Sequence, residues 1–158
     1  MNWPSITLWG FIATLTLTTL MAASLGIGLT RMNLPYMLGT MFTPNRDRAK
    51  LAGFFVHLVN GWLFALLYAA MFQSMHAAGV WRGALLGAAH AFVILTIGAY
   101  LLPGLHPRMA SEHAGPTARR QLEPPGFLAH HYGFQTPLVA LVAHVAYGMI
   151  LGGFYQPV

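Results

Sequence analysis

The chain has 158 residues, of which 56% are hydrophobic and only 7% charged, against about 25% charged in soluble domains. That balance excludes an ordinary water-soluble fold. The net charge of +5 does not point to nucleic acid, because the bases sit in short loops beside apolar stretches, where they orient a protein in the bilayer and meet anionic lipid. With no cysteine, disulfides, thiolate metal sites and iron–sulfur clusters are excluded.

Four stretches are long enough for a hydrocarbon core that needs about 20 helical residues. The first, residues 5–30, has Trp3 and Trp9 as interfacial anchors. No Lys or Arg precedes Arg31, and the apolar run is too long for a signal-peptide core, so it reads as a retained span. A loop over residues 31–48 follows. Within it, Leu34 to Phe42 pairs Met37 with Met41 and Leu38 with Phe42 at helical spacing, which predicts a short interfacial helix. Thr43-Pro44 reads as a cap followed by proline in the first turn.

The second span covers residues 49–74 and carries His57 and Asn60 three apart, on one helix face. Met71, Met75 and His76 gather at its end, a weak soft-metal signal beside the ordinary use of methionine as packing. The third span covers residues 80–102, holds His90, and is expected to end at Pro103. Its Gly83 and Gly87 are four apart, as are Gly148 and Gly152 of the fourth span, a spacing that brings membrane helices close together.

Residues 103–135 form a second, proline-rich polar loop. It contains His106, His113, His130 and His131, of which His106, His130 and His131 flank the spans and make a weaker candidate metal site. The fourth span, residues 136–156, opens on Thr136-Pro137, which again reads as a cap followed by proline in the first turn, and places His144 and Tyr147 on one face. The two loops and their flanks hold seven bases against Arg82 on the other side. The positive-inside rule therefore puts both loops in the cytoplasm and both termini outside. The location expected is a bacterial inner membrane.

The second and fourth spans share a pattern. His57, Gly61 and Tyr68 have the same offsets as His144, Gly148 and Tyr155. A duplication would make the chain two helical hairpins in parallel orientation.

The whole is an all-α, four-helix membrane bundle, residues 1–158 forming one domain. The layout resembles small four-span bacterial membrane proteins of a family without an assigned function. That resemblance rests on Leu34-Pro35-Tyr36-Met37-Leu38-Gly39 and the spans from His57 to Tyr68 and from His144 to Tyr155. It implies this fold and no activity. Histidines in a four-helix core are also similar to those of di-haem b-type cytochromes, which use two axial pairs. Here only three lie at depth and none in the first span, leaving room for one bis-histidine haem.

Ionisable side chains at membrane depth are costly and face a bundle interior or a ligand. His57, His90 and His144 are therefore the candidate ligands of haem or of a copper, zinc or iron ion, with Asn60 and Tyr147 as supporting partners. The bland alternative is that each histidine only fastens the bundle. No carboxylate relay, phosphate loop, H-E-x-x-H or G-x-S-x-G motif occurs, so the reading leans away from an enzyme. The competing functions are an accessory or assembly subunit of a larger membrane complex, and a small-solute carrier working as a homo-oligomer.

Overall fold

A computed structural model describes residues 1–111 and 114–156. Among them the chain is helical, with four helices long and apolar enough to cross a membrane.

Helix α1 spans Trp3–Gly26 and is capped by Asn2, whose side chain accepts from the Ser5 amide. It stops short of the expected Thr30 because Gly28 takes a left-handed conformation, φ +80°, which ends a helix at little cost only in glycine. Helix α2, Leu34–Gly39, is shorter than its apolar pattern and is capped by Asn33. It is also fixed to the next helix rather than lying free on a surface. A Cβ at Gly39 would overlap the Ala49 carbonyl, and one at Gly53 the Pro35 carbonyl.

Helix α3 runs Arg46–Ser74. Asn45 is its cap, not Thr43, because the Asn45 side chain reaches the Arg48 amide at 3.0 Å. The third span is continuous over Val80–Leu105. It comprises α4 (Val80–Val93), a π-helical turn (Ile94–Gly98) and α5 (Ala99–Leu105). Pro103 sits inside α5 instead of ending the span at residue 102. Proline has no N–H for the carbonyl four residues back and crowds it. That carbonyl belongs to Ala99, where the π turn meets α5.

The second loop carries an isolated parallel bridge between Met109 and Leu122 and a 3₁₀ segment, Phe127–Tyr132. Helix α6 covers Thr136–Phe154. Thr136 is its first residue and not the expected cap, since its hydroxyl is paired with that of Thr30 at 2.7 Å.

The Arg31 amide donates to the Tyr132 carbonyl at 2.7 Å, so the two long loops meet at one end of the bundle. At the other end the Gln156 amide donates to the Ser5 hydroxyl at 3.2 Å. Among the long helices, α4 and α6 approach backbone to backbone, where a Cβ on Gly83 would overlap the Gly148 carbonyl and one on Gly148 the Gly83 carbonyl. Helix α1 packs on both α6 and α3. Phe55, Val59, Leu63 and Leu67 form an exposed apolar row along α3, the outward hydrophobicity of a helix that faces lipid.

Candidate functional site

Glycines in the packing faces draw the four spans together around a cavity of about 230 Å³ in the loop-side half of the bundle. Its walls are mostly apolar. Met32 and Met37 from the α2 region and Ala129 from the 3₁₀ segment close the loop end, and Ile94, Leu95 and Gly98 of the π turn form one side. All five intramembrane residues singled out in the sequence, His57, Asn60, His90, His144 and Tyr147, line this cavity.

Hydrogen bonds fix two of the imidazoles. The Thr18 hydroxyl donates its only proton to the Thr14 carbonyl at 2.7 Å, so it must accept from His57 Nδ1, 2.9 Å away. His144 Nδ1 lies 2.7 Å from the Ala140 carbonyl, which can only accept. In both rings Nδ1 therefore carries the proton and Nε2 keeps its lone pair. Neither Nε2 has a hydrogen-bond partner among the described residues. His144 itself is only 9% exposed.

His90 is held by aromatic neighbours. It stacks on Phe64 with ring centroids 3.9 Å apart, and its Nδ1 lies 3.4 Å from the Tyr68 hydroxyl. Its ring meets His144 edge to face at 4.7 Å. The Tyr147 hydroxyl donates to the Gly61 carbonyl across the bundle at 2.6 Å. It does not serve His144 as the sequence spacing suggested, because α6 turns it toward α3. Asn60 lines the cavity without a hydrogen bond to any of the histidines.

The expected metal geometry is not assembled. Among the described residues no three His, Asp or Glu side chains are grouped to hold a metal ion. Two axial metal bonds of about 2 Å each plus the ring radii require imidazole centres roughly 6 Å apart. His90 and His144, at 4.7 Å, are too close to sandwich a haem, and the cavity is small for its macrocycle.

The loop histidines do not converge either. His106 is buried, with Nε2 donating to the Met37 carbonyl at 2.9 Å and Nδ1 accepting from the Arg108 amide at 3.1 Å. Burial lowers its pKa from the ordinary histidine value. His131 Nδ1 bonds the Pro124 carbonyl at 2.9 Å, and His130 stacks on Phe134. His113 lies outside the described residues. These rings brace the loop cap individually. Tyr132 joins them, donating to the Glu123 carbonyl at 2.5 Å, with its pKa pushed up to about 12 by burial.

Sequence reasoning missed Thr14, Thr18, Phe64 and Tyr68 as supports of the site. A signal existed for the threonines. Gly10, Thr14 and Thr18 recur every four residues in the first span, which puts them on one face.

Comparison with family models, with curated proteins and with solved structures found no match to this chain.

Proposed function

We propose that this integral membrane protein binds a ligand in the central cavity through the unprotonated Nε2 atoms of His57 and His144. One observation carries the reading. Both rings spend their single proton on a protein oxygen, and both border the same cavity with the lone pair left over. A mostly apolar cavity with a few convergent polar groups is the usual form of a small-molecule site. Fastening the bundle would need no such shared cavity.

A second reading keeps a transition-metal ion as the occupant, copper, zinc or iron. It is favoured by the same hydrogen bonds, because metal-ligating histidines almost always donate their other N–H to an oxygen. Met21, Met32 and Met37 add thioethers to the cavity wall, which suits copper(I). The three imidazoles would have to re-aim to share one ion.

The setting we propose is a bacterial cytoplasmic membrane, with the two basic loops on the cytoplasmic side and both termini outside. The test is binding to purified full-length protein in lipid nanodiscs, beside a His57→Ala/His144→Ala variant. Saturable binding of an apolar small molecule, zinc or copper(I) that vanishes in the variant supports the site. A wild type that retains none of these and co-extracts with a stable partner, unaffected by the substitutions, would replace the reading with that of an accessory subunit.

A further inference from the structure

The polar atoms around the cavity are unevenly divided between donors and acceptors. The Thr14 hydroxyl gives its proton to the Gly10 carbonyl at 2.7 Å, and the Tyr147 hydroxyl gives its own to Gly61. His57 and His144 give theirs to Thr18 and Ala140. Four lining groups are therefore left as acceptors. A ligand that only accepts hydrogen bonds, such as an ether or ester, would meet lone pairs on most of them. Burying such groups without a donor is costly, which makes the mismatch a strong discriminator.

The complement is short. The Asn60 amide gives and takes. Donation from the Tyr68 hydroxyl to His90 Nδ1 at 3.4 Å would place the His90 proton on Nε2. The head group matched to this set is a hydroxyl, which donates to one imidazole and accepts from a neighbouring donor.

Size and access define the rest. A cavity of about 150 Å³ accepts benzene, so 230 Å³ holds a single ring and a few further carbons. Helices α3 and α4 do not pack closely as α4 and α6 do; Phe64 and Tyr68 reach across to His90 instead. Along this gap Phe64, Ile94, Gly98 and Leu102 both line the cavity and are part-exposed, Ile94 to 37%. The wall there is one side chain thick and faces the hydrocarbon. The π turn that supplies Ile94 and Gly98 is a form of helix common at functional sites.

Resting on the ligand-binding reading above, we propose that the cavity recognises a membrane-soluble phenol or hydroquinone, entering from the bilayer between α3 and α4 with its hydroxyl on His57 or His144. The probes are 4-propylphenol, whose ring and three further carbons suit the cavity, and its methyl ether, which is close to it in shape but cannot donate. Each is titrated into the full chain in nanodiscs, with protein-free nanodiscs subtracted for partitioning. The phenol is expected to bind at least tenfold more tightly than the ether. Of His57→Phe and His144→Phe, the one that removes the ring receiving the hydroxyl is expected to cut that preference below threefold, and loss in neither would overturn the assignment. The ¹⁵N resonance of His57 or His144 Nε2 should shift with the phenol and not with the ether.

Equal binding of the two probes would overturn the hydroxyl-donor class while leaving a ligand cavity in place. Binding of zinc or copper(I) alone, with neither organic probe retained, would overturn it in favour of the metal. No binding of any probe would remove both this inference and the reading beneath it. The comparison of phenol with ether is made on the wild type, so it decides the question even if the variants fold poorly.

Discussion

The two helical hairpins carry the same three letters at the same spacing and use them differently. In α3, His57 leans on a side chain of the adjoining helix, Thr18, and Gly61 makes room for the Thr14 side chain. In α6, His144 turns back to its own Ala140 carbonyl, and Gly148 meets the bare backbone of Gly83. Tyr68 finds His90 across the bundle, while the Tyr155 hydroxyl is buried without a partner among the described residues. A helix pattern fixes which residues share a face. The neighbouring helix decides what that face does: the threonines of α1 create a hydrogen-bonded seam, and the glycines of α4 create a close-packed one.

The largest effect should come from the glycine seam. Gly83→Ala places a methyl group against the Gly148 carbonyl, which can yield only by separating α4 from α6. The expected loss is about 3 kcal/mol, read as reversible unfolding in mixed micelles. Gly61→Ala meets the Thr14 side chain instead, and its cost should be nearer 1 kcal/mol. Adding Thr14→Ala should recover most of that loss. If Gly61→Ala were the costlier of the two, or Thr14→Ala failed to relieve it, the distinction between the seams would fall.

Next in size is Thr18→Val, which keeps the shape and removes the acceptor of the His57 proton. A buried donor left unpaired costs about 1–3 kcal/mol. The sharper readout is the tautomer. Side-chain ¹⁵N spectra should show His57 redistributing its proton between Nδ1 and Nε2, with His144 unchanged because its acceptor is main chain. A His57 spectrum indifferent to Thr18→Val would show that the threonine does not set the ring.

Much of this was legible in the sequence. The four spans were found within a few residues because length and hydropathy dominate in a membrane. His57, Asn60, His90, His144 and Tyr147 were picked out because polar groups stand out against apolar spans, and they do line one cavity. Partner assignments were not legible. Tyr147 shares a face with His144, yet its hydroxyl crosses to Gly61, since the rotation of α6 is set by glycines on α4. Thr43-Pro44 and Thr136-Pro137 had the right composition for helix starts. Asn45 took the first cap by a shorter reach, and Thr30 captured the second threonine. The Asn45 cap is a local choice between neighbouring side chains, whereas the pairings of Tyr147 and Thr136 depend on partners 86 and 106 residues away in the chain.

A smaller effect separates the loop cap from the seams. The pKa of buried His106 is lowered by desolvation, so the folded state binds its proton less readily than the unfolded chain. Its contribution is complete above the free-imidazole value of about 6.5 and drains away as pH falls from there toward the lowered folded value. Protonated, the ring would turn a second N–H onto the Arg108 amide it now accepts from. Protection factors of the Met37 to Met41 amides, corrected for the intrinsic slowing of exchange in acid, should therefore fall below about pH 6.5, and His106→Gln should remove that acid sensitivity. Amides of Gly83 to Gly87 should not respond. A response shared equally by both regions would mean that the cap and the glycine seam open together.

The smallest expected change tests the repeat itself. Tyr155 and Tyr68 occupy equivalent places in the pattern, but only the Tyr68 hydroxyl has a nearby group, and at 3.4 Å that contact to His90 is long. Tyr155→Phe removes a buried hydroxyl that gains nothing from the described residues, so stability should hold or rise by up to about 1 kcal/mol. Tyr68→Phe should lose about 0.5–1 kcal/mol and perturb the His90 ring resonances, whose stack on Phe64 alone would then orient it. If Tyr155→Phe proved the more damaging, its hydroxyl must be engaged in the membrane-embedded protein by a group that the described residues do not supply. The two halves would then be more alike in use than their neighbours make them.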